Sequence, residues 1–161
     1  MIGKAMSANS STSKKVVDID NFRGRGTTYV SDWRATVTSK IERIGAGDTS
    51  DYDFEGSVNE VAAKHACEFT NQLSMLLKAP EVGLNSDGSI LLEWVMKDNN
   101  GHLKLGSVIF DGKHIIYSIT KNEKIETNGA TLYTDVSVNM LKALLFQYFE
   151  KDINHSRSIA R

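Results

Sequence analysis

Ile90-Leu91-Leu92-Glu93-Trp94-Val95-Met96 is the stretch that decides the fold. Its apolar side chains recur every second residue, which is the period of a strand. Ile90, Leu92, Trp94 and Met96 share one face, and Leu91, Glu93 and Val95 share the other. Asp98-Asn99-Asn100-Gly101 follows as turn chemistry. Beyond it, Leu103, Leu105, Ser107 and Ile109 alternate again. A two-residue loop at Asn99-Asn100 would pair Met96 with Leu103, Trp94 with Leu105 and Ile90 with Ile109. That register gathers the large apolar groups on one side and is the expected one. Asp111-Gly112 makes the next turn, and Ile115, Tyr117 and Ile119 continue the pattern. Their faces align if the loop Asp111–Lys113 is odd in count and carries a bulge. A further strand or hairpin arm is expected over Lys124–Thr127 and Ala130–Tyr133, turning at Asn128-Gly129.

Helical periodicity flanks this region on both sides. Trp33, Val37, Ile41 and Ile44 form one stripe over Asp32–Ile44, with Ser31 or Asp32 as cap and Gly45 as the left-handed terminator. A second helix opens at Ser57 and Glu60, which have capping-box spacing. Its stripe is Val58, Val61, Ala62, Ala66, Phe69, Leu73 and Leu76, with His65 inside it, Cys67 opposite it, and Ala79-Pro80 as the stop. A last helix runs from a Thr134 or Asp135 cap to about Lys151. Val138, Leu141, Leu144, Leu145, Tyr148 and Phe149 make its stripe, widened by Met140 and Phe146. That arc exceeds the roughly 100° needed to cover one sheet face. Either the helix is sandwiched within the domain or its spare side, Met140, Leu144, Phe146 and Tyr148, meets a partner chain. The expected class is therefore α+β: an antiparallel meander of three to five strands with two helices before it and one after it.

The chain has 161 residues, of which 40% are hydrophobic and 24% charged, with a formal net charge of -1. That composition fits one globular domain and excludes a strongly basic nucleic-acid wrapper. Residues 27–153 are assigned to the domain. Residues 1–26, rich in Ser, Lys and Ala, read as a flexible arm, and 154–161 as a flexible tail. Translation can begin at Met1 or Met6. A single cysteine precludes an internal disulfide and points to the cytoplasm. No apolar run reaches membrane-spanning length, and Met1–Lys15 lacks the apolar core of a secretion signal. Charge is unevenly spread: residues 1–47 carry eight Lys/Arg against four Asp/Glu, and 48–69 carry six acids against Lys64.

Catalytic templates are absent. No Gly-Lys-Ser/Thr closes a glycine-rich loop, and neither Gly24-Arg25-Gly26 nor Gly45-Ala46-Gly47 has the third glycine of a dinucleotide fingerprint. No nucleophile elbow or zinc-ligand spacing occurs, so no catalytic residue, metal or cofactor is expected. Asp51, Asp53, Glu55 and Gly56 match the first positions of a calcium loop, but Ala62 stands where the bidentate carboxylate belongs. His65 and Cys67 lie about 200° apart on their helix and cannot form a dyad. His102 and His114 flank turns. Glu93, mid-strand, is expected to pair across the sheet with Lys104 or a backbone amide. The remaining features are surfaces. Asp48, Asp51, Asp53 and Glu55 form an acidic patch that, like the spare side of the last helix, would bind another protein or a second copy of the chain. Lys14, Lys15, Arg23 and Arg25, with Phe22 and Tyr29 available to stack, are the alternative: a nucleic-acid-binding arm, ranked behind the protein-interaction reading.

Tyr52-Asp53-Phe54-Glu55-Gly56-Ser57, Pro80-Glu81-Val82 and Asp87-Gly88-Ser89-Ile90-Leu91-Leu92-Glu93-Trp94 resemble a recurrent pattern in small bacterial proteins. In that pattern an aromatic-Asp-Gly-aromatic-Gly-Ala segment precedes a helix, a Pro-x-Val strand and Asp-Gly-x-Ile-x-Leu-Glu-Trp, with Phe54 and Glu55 departing from it here. The resemblance covers about a quarter of the chain. It implies a small helix–sheet–helix fold with no known reaction, found among mobile or accessory genes, and hence a non-enzymatic defence, counter-defence or toxin–antitoxin component.

Overall fold

The computed structural model describes residues 32–151. Three helices and one five-stranded sheet follow the order α1 (Arg34–Gly45), α2 (Glu60–Gln72), β1 (Glu81–Leu84), β2 (Ile90–Lys97), β3 (Leu103–Phe110), β4 (His114–Lys121), β5 (Lys124–Leu132) and α3 (Asp135–Phe149). The strands form an antiparallel meander in sequential order, with two helices before it and one after it. This is the expected α+β class.

The turns fix the register, and they correct three expectations. Between β2 and β3 the connection is Asn99-Asn100-Gly101. Asp98 N–H donates to the His102 carbonyl at 2.9 Å, and the Asp98 carboxylate accepts from the Asn100 and His102 amides, each at 2.9 Å. Gly101 sits at φ 82°, the left-handed position a three-residue hairpin needs. One residue more than a two-residue loop shifts the pairing, so Trp94 faces Gly106 and Ile90 faces Phe110. Lys104, Gly106, Val108 and Phe110 thus take the helix-covered face, and Leu103, Leu105 and Ile109 take the other. Ser86-Asp87-Gly88 repeats the device between β1 and β2, with Gly88 at φ 88° and Asn85 N–H donating to the Ser89 carbonyl.

The β3–β4 connection is Gly112-Lys113, two residues and not three, with no bulge beside it. The Asp111 side chain accepts from the Lys113 and His114 amides at 2.9 and 2.6 Å. β4 turns into β5 at Asn122-Glu123, both at positive φ, as tight primed hairpin turns require. Asn128-Gly129 is therefore no turn. It lies inside one continuous strand, where a Cβ on Gly129 would stand 2.7 Å from the Tyr117 hydroxyl. A bulge falls at Glu126, since Ile119 pairs with Thr127 and Thr120 with Ile125.

Helix boundaries differ locally from expectation. α1 has no side-chain cap, and its left-handed residue is Gly47 at φ 97°. Gly45 serves close packing, because a Cβ there would lie 3.0 Å from Ala63 Cβ on α2. The α2 cap is Asn59, whose carboxamide oxygen accepts from Ala62 N–H at 2.9 Å while its amide donates to the Asp111 carbonyl at 2.8 Å. Asn59 thereby ties the helix start to the β3–β4 turn, a role Ser57 has no reach to fill. Thr134 caps α3 as expected, accepting from Ser137 N–H at 3.2 Å.

α2 ends at Gln72, well before Pro80, and the irregular segment between them is held by both tryptophans. The Trp33 and Trp94 indoles donate to the Leu77 and Lys78 carbonyls, each at 2.7 Å. Lys78 N–H donates to the Phe149 carbonyl and Lys151 N–H to the Leu76 carbonyl, so the exit of α3 pairs with the same segment. The core fills one side of the sheet: Ile90, Leu92, Trp94, Val108, Phe110, Ile115 and Ile119 pack against Ile41, Ala66, Phe69, Leu141, Leu145 and Phe149. Gly106 leaves room for Phe149, since a Cβ there would stand 2.6 Å from the ring.

Candidate interaction surface

Among the described residues the helices pack on one side only, and the other face of the sheet is open. Cross-strand pairing arranges it in rows. Leu91, Ile109, Ile116 and Ala130 make one row. Glu81, Glu93, Ser107, Ser118 and Asn128 make the next. Val95, Leu105, Thr120 and Ile125 make a third, and Lys97 and Leu103 flank it. Two apolar rows thus bracket a polar one. Among the described residues nine large hydrophobic side chains are exposed, and six of them, Val95, Leu103, Leu105, Ile116, Ile125 and Leu132, lie on this face. Such concentration separates a contiguous patch from the scattered exposed apolar residues of any protein surface.

Sequence reading places Leu103, Leu105 and Ile109 in the core. The signal against it was present in the same strand: Val108 and Phe110, with Gly106 leaving space for a ring, mark the opposite parity as the buried one. Glu93 lies on the open face directly across from Glu81 and Ser107. Lys104 is on the helix side, where its ammonium donates to the Tyr148 carbonyl at 2.6 Å, so the expected Glu93–Lys104 pair does not form. Two carboxylates facing each other across strands are mutually destabilising.

The acidic patch occupies the loop between α1 and α2, and all four of its carboxylates are exposed. Arg43 reaches Asp51 at 3.2 Å and Asp48 at 3.7 Å. The Ser50 hydroxyl, donating to Asp48 at 2.9 Å, holds that carboxyl below its ordinary range, with Arg43 adding to the effect. On α3, Met140 is 39% exposed, while Leu144, Phe146 and Tyr148 are half-buried against the core. Phe146 lines an apolar groove of ≈ 520 Å³ with Leu73, Leu77 and Ala143, and the Tyr148 hydroxyl donates to Glu126 at 3.4 Å. Lys14, Lys15, Arg23 and Arg25, like the arm and tail as a whole, lie outside the described residues.

The titratable groups weighed as chemistry are dispersed. His65 stacks face to face on Tyr133, centroids 3.8 Å apart and planes 6° from parallel, and its Nδ1 is buried without a hydrogen-bond partner. Burial pushes its pKa down. Cys67 is half-buried, its thiol donating to the Thr38 carbonyl of α1 at 3.7 Å, and burial pushes that thiol up to about 11. His114 Nδ1 approaches Asp111 at 3.1 Å, and His102 Nδ1 approaches Asp98 at 3.4 Å. Among the described residues no three His, Cys, Asp or Glu side chains converge as metal ligands, and no helix is long and apolar enough to cross a membrane. No family model, curated protein or solved structure matches the chain.

Proposed function

We propose that this protein is a non-enzymatic protein-interaction module whose binding surface is the open face of its sheet. The observation that supports the reading is the pair of apolar rows, Leu91–Ile109–Ile116 and Val95–Leu105–Ile125, on a face that no described helix covers, with Ile116, Val95, Leu105 and Ile125 exposed and Leu91 and Ile109 half-buried. Exposed apolar area of that extent costs solubility unless a protein surface covers it. The acidic loop, in which Arg43 pairs with Asp48 and Asp51, adds charge that would steer a basic partner. A cytoplasmic location goes with the reading, supported by a chain holding one cysteine.

The test is affinity capture of the full chain from its host, comparing wild type with Leu105→Lys and with Asp53→Asn/Glu55→Gln. Stoichiometric protein retained by wild type and lost from Leu105→Lys is the expected result. Capture unchanged by Leu105→Lys removes the open face from the reading. Turnover of a small molecule by the purified chain would remove the non-enzymatic part.

A further inference from the structure

We infer that the open sheet face is a self-association surface, on which a second copy of this chain packs face to face about a two-fold axis running parallel to the strands through β3. The inference rests on the reading of that face as an interaction surface and names its occupant.

Area is the first argument. Four strands of eight or nine residues and one of four, about 4.8 Å apart at about 3.3 Å per residue, present roughly 600 Å². Two such faces bury about 1,200 Å², the lower edge of the range for specific stable interfaces. The face is therefore large enough for a sheet of its own size and shape, and a second copy supplies one.

Row order is the second. The polar row Glu93–Ser107–Ser118–Asn128 lies between two apolar rows, each two residues away along the strands. A two-fold parallel to the strands keeps every row in place and reverses strand order, so apolar rows meet apolar rows and the polar row meets itself. Closed two-fold pairing is also the commonest solution for identical chains, and aligned sheets pack at about 30° with interleaved side chains.

Charge selects among the possible two-folds. An axis perpendicular to the strands would set Glu81 and Glu93 against their own copies, four carboxylates in one dry layer. The axis parallel to the strands sets Glu93 (β2) over Ser118 (β4) of the second copy and Glu81 (β1) over its Asn128 (β5). Each carboxylate then meets a hydroxyl or amide donor. On the axis itself, Leu105, Ser107 and Ile109 of β3 face their own copies. The face carries Glu81 and Glu93 against Lys97, so an anionic lipid or nucleic-acid surface gains no attraction there.

The experiment uses the full chain with Cys67→Ser, so that introduced cysteines are the only thiols. Light scattering coupled to size exclusion at about 50 µM is expected to give twice the chain mass. Ser107→Cys, on the axis, is expected to cross-link with a short bismaleimide, whereas Ala143→Cys on α3 is not. Leu105→Lys and, independently, Ile116→Lys are expected to weaken association at least tenfold with an unchanged circular-dichroism spectrum; should either fail to fold, the Ser107→Cys cross-link decides alone. A monomeric wild type overturns the inference. A dimer that cross-links through Ala130→Cys on the free edge of β5 and not through Ser107→Cys overturns it too, in favour of edge pairing. If wild type is a monomer but Leu105→Lys still abolishes capture of a different protein, self-association fails while the interaction reading stands.

Discussion

Gly106→Ala measures the register of the sheet with a single methyl group. In the observed pairing Gly106 faces Trp94 on the covered side, and an added Cβ would lie 2.6 and 2.8 Å from the fully buried Phe149 ring. Contact that close forces the ring or β3 to shift, and overpacking of this kind costs about 1–3 kcal/mol. Had β3 been paired one residue over, with Leu105 opposite Trp94, position 106 would face solvent. Alanine would then stabilise the strand by about 0.4–1 kcal/mol through the unfolded chain. The two registers therefore predict opposite signs. For a domain of this size 1 kcal/mol moves Tm by about 4 °C, so a fall of roughly 4–12 °C is expected. Phe149→Leu supplies the second leg of a double-mutant cycle, followed by urea titration of all four proteins. It should be destabilising alone, and it should absorb most of the Gly106→Ala penalty, giving a coupling energy of at least about 1 kcal/mol. A Gly106→Ala variant as stable as wild type, or additivity with Phe149→Leu, would refute both the register and the reason given for the glycine.

Asn59→Ala removes a helix cap and the tie to the Asp111 carbonyl together, and is expected to cost about 1–2 kcal/mol in urea denaturation, against less than about 0.5 kcal/mol for Ser57→Ala. Trp94→Phe leaves the Lys78 carbonyl without its indole donor and should cost about 1–3 kcal/mol by thermal melting, a loss that Trp94→Phe with an unaltered melt would disprove. Cys67, raised to about 11, should react with a disulfide reagent at pH 8 between about 10- and 100-fold more slowly in the native protein than in urea. Because its folded pKa lies above the unfolded one, the associated stability is present below about pH 9 and disappears toward pH 11. His65 shifts the other way: burial lowers its pKa, so the unfolded chain takes up the proton first and stability falls as pH drops below the ordinary histidine value. His65→Phe, which keeps the stack on Tyr133, should flatten the urea midpoint between pH 6.5 and 5. Lys64, Glu68 and Asp111 are the charged groups that act on His65 and remain unchanged in that variant.

Element type was legible wherever one period ran long enough to exclude the other. Ile90–Met96 could only be a half-buried strand, and Val138–Phe149 only a helix, because each places its large side chains on one face at one spacing. Legibility stopped where local chemistry had two competent answers. Asn128-Gly129 is strong turn chemistry, yet Asn122-Glu123 took the turn, and Gly129 leaves the Tyr117 hydroxyl the space that a Cβ would occupy. Ser57 and Glu60 had capping spacing, but Asn59 satisfies two partners at once, one of them on the β3–β4 turn far along the chain. No local pattern encodes that second partner.

The β2–β3 loop shows how one residue separates a fold from its surface. Counting Asn99-Asn100 as the whole loop places Leu103, Leu105 and Ile109 in the core and turns Val108 and Phe110 outward, beside Leu91, Glu93 and Val95. Counting Gly101 as its third residue, as its left-handed backbone demands, exchanges the two faces of β3 without altering a single strand assignment. The core loses nothing, because Val108 and Phe110 replace the leucines and Gly106 admits Phe149 from α3. What changes is the outside: three apolar side chains that would have stabilised the interior now stand beside Leu91, Val95 and Ile116 in the open. β3 is apolar on both parities, the pattern of a strand covered on both sides. Among the described residues there are helices for one side only. A second sheet is the cover proposed for it, and the glycine that sets the loop length decides which of the two apolar faces of β3 needs one.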